Sequence, residues 1–188
     1  DLASIGWAIA AAISARDSAA TRRAWILLAI AAASNTVCTT VWSVREIVYF
    51  DELMPSWSNL FYTATYAFSL AGLLSFPSAP RKRAERLTFS FDVATVTLTC
   101  ALLFWYLCVR DNAFTAATSL SDKIFYIAFP AGDLILLVAA AFLLLRAPDE
   151  RSHRVFRFLA FSELCGAIGD FANGYLSAAG KYSTGAMT

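Results

Sequence analysis

The sequence predicts an all-α fold, a polytopic membrane helix bundle of about six spanning helices arranged as hairpin repeats, and three observations carry that expectation. First, 59% of the 188 residues are hydrophobic and 15% are charged, with mean hydropathy +0.58. A soluble domain carries roughly 25% charged and about 45–50% apolar residues, so it has no core large enough to hold this excess. Second, the apolar residues gather into six runs of spanning or near-spanning length. Third, Lys and Arg crowd into alternate loops.

A bilayer core of about 30 Å takes about 20 mostly apolar residues in a helix, because every backbone amide must find its partner within the segment. The first run, 2–15, is short and opens at Asp1 rather than Met, so it reads as a spanning helix cut at its front end. A signal-peptide apolar region is the alternative, but no basic stretch precedes the run and no convincing cleavage site follows it. The second run, 24–44, follows Arg22 and Arg23 and carries Ser34 and Asn35 inside it. The third, 57–76, opens with Trp57 and Tyr62. The fourth, 87–109, follows a basic loop and holds Asp92 near its inner end. The fifth, 124–145, contains Pro130, Gly132 and Asp133, and the sixth, 155–178, contains Glu163, Asp170 and Asn173. Together they make a single transmembrane domain over 1–188. The chain stops in a Gly/Ser/Thr-rich stretch, and the expectation is a fragment of a bundle with seven or more helices whose soluble output domain lies elsewhere.

Cytoplasmic loops retain positive charge. Arg16, Arg22 and Arg23, then Arg81, Lys82, Arg83 and Arg86, then Arg146, Arg151, Arg154 and Arg157 account for eleven of the fifteen Lys and Arg, and all fall after odd-numbered runs. Only Arg45, Arg110, Lys123 and Lys181 fall on the other side. The start of the chain is therefore expected outside. Trp57, Tyr62, Trp105, Tyr106, Tyr126, Tyr175 and Tyr182 all fall toward the outer ends in this frame, where aromatic side chains favour the headgroups. A net charge of +1 offers no field for nucleic acid.

The segment Leu60-Phe-Tyr-Thr-Ala64 recurs as Ile124-Phe-Tyr-Ile-Ala128. The same offset pairs Ala67 with Ala131, Leu70 with Leu134, Leu73 with Leu137 and Arg22 with Arg86. This pattern fits a repeated helical hairpin entered from a basic cytoplasmic loop, as weak internal symmetry in polytopic folds often does. Two apolar helices with Phe-Tyr at the outer interface would also match by composition.

Chemistry-bearing residues are few. Cys38, Cys100, Cys108 and Cys165 lie inside runs without CxxC spacing and read as small apolar fillers rather than disulfides or zinc ligands. The one histidine, His153, cannot build a bis-imidazole haem or a His-rich metal site. No phosphate loop, nucleophile elbow or metalloprotease signature is present, so no catalytic residue, metal or cofactor is expected.

Acids at membrane depth remain. Each costs about 2.5–3.5 kcal/mol at the centre of a span. Asp92 can reach headgroups or cap its helix. Asp133 is offset by Leu134, Ile135, Leu136, Leu137 and Val138, so its helix inserts unaided. The sixth run carries two acids, roughly 5–7 kcal/mol, against roughly −2 to −4 kcal/mol from its large apolar residues, so it needs its neighbours. Glu163 and Asp170 are seven residues apart and share a face, with Gly166 and Gly169 near that side to let another helix approach. Two readings stand: a packing face of protonated carboxyls, or a polar pocket for a ligand, proton or cation built from Asp133, Glu163 and Asp170 with Asn35 and Asn173. Pro130 cannot donate to the carbonyl of Tyr126, and with Gly132 it marks a hinge beside Asp133.

The stretch Pro55-Ser-Trp-Ser-Asn-Leu-Phe-Tyr62, the basic loop, Phe91-Asp92-Val93, Phe129-Pro-Ala-Gly-Asp133-Leu, Gly169-Asp170 and Gly180-Lys-Tyr-Ser-Thr-Gly185 resemble the multi-spanning N-terminal sensor region of bacterial signalling proteins. Those regions precede GGDEF and EAL domains, which make and break cyclic di-GMP, or histidine kinase modules. Asn59 stands where such regions carry an acid, so no ligand role is carried onto that position. The resemblance implies a multi-pass domain of the bacterial inner membrane that binds a small ligand or lipid and regulates a C-terminal cytoplasmic effector. It leaves open a homodimer through the full-length protein. A small proton- or cation-coupled transporter is the competing expectation, since midplane acids and a broken helix suit transport as well. A lipid-acting membrane enzyme would need more than Asp92 at the interface.

Overall fold

A computed structural model describes residues 2–15, 18–49, 57–77, 120–145, 147 and 149–178, with positions 87, 91, 94–95, 97–99, 101–102, 105–106 and 110 between them. Among the described residues there are helices and no strands, as expected. The chain divides into two units, Asp1–Ser78 and Ala79–Thr188.

In the first unit, α1 (Leu2–Ser14) packs on α2 (Ala19–Val44), which continues as a π-helical segment (Arg45–Tyr49), and α3 (Trp57–Ser75) follows. Ser18 caps α2: in extended backbone its hydroxyl accepts from the amide of Thr21 at 3.3 Å, satisfying one of the orphan donors of the first turn. Ala24, Ala31 and Cys38 are buried at a spacing of seven, a narrow stripe of small side chains that admits close neighbours.

The deepest packing joins α2 to α3. Trp25 meets Phe76 edge to face at 5.5 Å, and Ser34 donates from its hydroxyl to the Phe61 carbonyl at 3.1 Å, so the helices run antiparallel. Between these contacts a Cβ on Gly72 would lie 3.0 Å from Leu28 and 3.2 Å from the Ala24 carbonyl oxygen. Glycine is what permits that approach.

In the second unit, α4 (Leu120–Leu145) and α5 (Glu150–Ala178) pack on one another across a four-residue link. Asp149 precedes α5 and accepts from the Ser152 amide at 2.8 Å and the Ser152 hydroxyl at 3.0 Å. Its charge also faces the positive end of the helix. Leu136, Ala139, Ala140 and Leu143 are the buried stripe of α4, at helical spacing.

The six expected spans are matched in part. Among the described residues two helices are long and apolar enough to cross a membrane, Ala19–Val44 and Ile127–Leu144. At 13 residues α1 is short, about 20 Å. Ser58, Asn59, Thr63, Thr65, Ser69 and Ser75 dilute the apolarity of α3, and Arg154, Arg157, Glu163 and Asp170 that of α5. The run 87–109 is helical at its described positions, and at its outer end the Arg110 guanidinium sits 5.2 Å over the Tyr106 ring. Asp92, Cys100, Cys108, the loop 78–86 and the segment 179–188 lie outside the described residues.

Candidate functional site: carboxylates on the inner face of a helical hairpin

The hairpin geometry of the second unit fixes the depth of each acid. Counting outward from the link, Asp133 on α4 and Glu163 on α5 differ by one residue, a height difference of about 2 Å at 1.5 Å per residue. Asp170 is two turns further from the link, about 10 Å. On α5, Glu163 and Asp170 fall within about 40° of Phe156, which is buried and stands level with Ala139 and Ala140 of α4. Glu163, Ala167 and Asp170 are half-buried, whereas Phe158 and Phe161 on the opposite side are 76% and 64% exposed, and Ile168 is exposed too. Asp133 is half-buried at the rim of the α4 packing face, one turn from Leu136.

This is the reverse of a water-facing amphipathic helix. Carboxylates point inward and large apolar side chains outward, the distribution that a hydrocarbon solvent favours and water opposes. The same polarity recurs elsewhere: Trp7 is 78% and Leu74 72% exposed, while Ser58, Asn59 and Ser69 are buried. Hydroxyls within the helices bond to their own backbone, Thr36 to the Ala32 carbonyl, Thr40 to that of Thr36, Thr63 to that of Asn59 and Thr95 to that of Phe91. Such bonds hide a polar group where water is not at hand.

Some expected features fall elsewhere. A Cβ on Gly166 or Gly169 would meet nothing within 4 Å among the described residues, where the glycine-mediated approach is the one at Gly72. The Glu163 face is held by Phe156 and the alanines instead. α4 runs through Pro130 and Gly132 without interruption, both half-buried. Pro130 still lacks the amide that would bond Tyr126, so one rung of the ladder is missing one turn from Asp133. Asn35 is half-buried in α2 of the first unit, and Asn173 lies in α5 with its side chain outside the described part. The acids and Asn35 thus belong to separate units.

Beside Asn35, sequence reasoning overlooked a polar belt. The Phe61 carbonyl accepts from Ser34 of α2 at 3.1 Å and from Thr65 at 3.0 Å, and Ser58 and Asn59 are buried in the adjoining first turn of α3. The only signal was the polar pair following Trp57, which reads as an interfacial helix start. Cys38 is buried, Cys165 and His153 are exposed, and the described residues hold no group of three potential metal ligands. No family model, curated protein or solved structure matches the chain.

Proposed function

We propose that this chain is a multi-pass sensory domain of a bacterial inner membrane, with six spans and an outside N-terminus, joined through one further span to a C-terminal cytoplasmic effector of the diguanylate cyclase, cyclic di-GMP phosphodiesterase or histidine kinase type. The observation that carries the reading is the inverted face of α5: Glu163 and Asp170 turned inward, Asp133 at the same level as Glu163, and Phe158, Phe161 and Ile168 turned out. A small ligand or lipid headgroup engages the carboxylates and changes how α4 and α5 pack. The missing rung at Pro130 supplies the weak point about which the outer part of α4 moves. The ligand shifts this equilibrium only by its difference in affinity for the two packings.

The test is the triple variant Asp133→Asn, Glu163→Gln and Asp170→Asn in the full-length protein, with membrane insertion verified by fractionation. Effector output that no longer responds to growth condition is the expected result. Output identical to wild type in correctly inserted protein refutes the sensory site.

Transport is the second reading, favoured by the placement of Pro130 beside Asp133 inside an apolar helix. Reconstituted vesicles that show pH-dependent solute uptake, abolished by Asp133→Asn, would select it.

A further inference from the structure

The first unit carries a groove that the carboxylate site does not use. Ile5, Ile9 and Ile13 of α1 face Ile30, Ile26 and Arg22 of α2 across an open channel of about 590 Å³, lined otherwise by alanines. Each helix contributes every fourth residue, so isoleucines of α1 and α2 recur along the channel like rungs. From Arg22 to Ala33, the far end of the lining, is about 16 Å of helix, close to half of a bilayer core of about 30 Å. The volume lies in the range of small-molecule sites, about 300–1,000 Å³.

From this geometry we infer that the α1–α2 groove binds one anionic phospholipid of the leaflet bordering Arg22, with an acyl chain along the isoleucine rungs and the phosphate on the guanidinium. Among the described residues the lining has a single polar side chain, Arg22, and it stands at one end. That is the signature of an unbranched apolar ligand with a terminal anion. Arginine suits phosphate because its planar fork forms paired charge-assisted hydrogen bonds. Arg23, exposed beside Arg22, adds positive charge on the same side and disfavours a zwitterionic headgroup relative to an anionic one. A groove one leaflet long matches a lipid that stays in its own leaflet, and a helix filling it would leave Arg22 facing an apolar segment. The inference rests on the membrane reading above but not on the carboxylate site.

The experiment is native mass spectrometry of the chain purified in mild detergent and titrated with phosphatidylglycerol or phosphatidylethanolamine. One phosphatidylglycerol per chain is expected, held about tenfold more tightly than phosphatidylethanolamine. Arg22→Gln should erase that preference while keeping weak binding of both lipids, and Ala29→Phe, which fills the groove, should abolish binding. Fluorescence in a background where Trp25 is the sole tryptophan, the other four replaced by Phe, reports through its contact with Phe76 whether each variant is folded; if Ala29→Phe is not, Arg22→Gln decides alone. Equal retention of the two lipids by wild type, unchanged preference in Arg22→Gln, or a free fatty acid or a second chain in place of the lipid overturns the inference. A chain that stays in aqueous buffer without detergent overturns both this and the membrane reading. One that fractionates with membranes yet retains no lipid overturns this inference alone.

Discussion

Replacing Gly72 by valine probes the tightest contact in the first unit. The Cβ alone would lie 3.0 Å from Cγ and Cδ2 of Leu28 and 3.2 Å from the carbonyl oxygen of Ala24. Leu28 is half-buried, and its fork can turn aside at a cost of about 0.5–1.5 kcal/mol. The Ala24 carbonyl belongs to the helix backbone and cannot, so α3 must retreat from α2 by a few tenths of an ångström. Retreat loosens the Trp25–Phe76 contact and stretches the Ser34–Phe61 hydrogen bond, already 3.1 Å. Overpacking costs about 1–3 kcal/mol. Valine regains only a few tenths of a kcal/mol in helix propensity over glycine, so a net loss of about 1–3 kcal/mol is expected. Detergent-driven unfolding in mixed micelles, followed through Trp25 in a background with the other four tryptophans replaced by Phe, measures it. In a Leu28→Ala background the crowding falls away, and the cost of Gly72→Val should drop by about 1 kcal/mol. A variant that unfolds like wild type, or one whose cost is the same in both backgrounds, refutes the close approach at Gly72.

Residues 155–178, with two acids and roughly −2 to −4 kcal/mol of apolar compensation, should insert poorly as a lone segment in a translocation assay and efficiently behind residues 120–154. Ile168→Asp places a carboxylate on the outward face and should impair insertion by about 2.5–3.5 kcal/mol, whereas Glu163→Gln should not; equal effects would contradict the inverted face. Ser18→Ala removes the α2 cap and should cost about 1 kcal/mol of stability in micelles. In a chain lacking its native cysteines, an impermeant maleimide should label Ile47→Cys in intact cells and Ala20→Cys only after permeabilisation.

Apolar run length located the five described helices, but it placed their ends where lipid ends and not where hydrogen bonding ends. α2 begins at Ala19, five residues before the apolar run at Ala24, because Ser18 caps it and Thr21, Arg22 and Arg23 extend the helix beyond the apolar run. α5 begins at Glu150 and not Val155 for the same reason, with Asp149 as its anchor. The shared face of Glu163 and Asp170 was legible because a spacing of seven fixes an angle. Which glycine meets a neighbour was not, since Gly72 and Gly169 look alike until the facing helix is known. The burial of Ser58 and Asn59 was not legible because hydropathy counts their polarity without saying which way they turn.

The links between paired helices limit how any stimulus can travel. Residues 15–18 and 146–149 are each four residues long. Such a strand reaches about 13 Å when fully stretched, while packed helix axes already stand about 8–10 Å apart. A reach of about 13 Å across a gap of about 9 Å still permits about 9 Å of offset along the axes, so the links bound a lengthwise slide without forbidding it. What they do forbid is separation: each pair stays a hairpin through any tilt, roll or slide of its members.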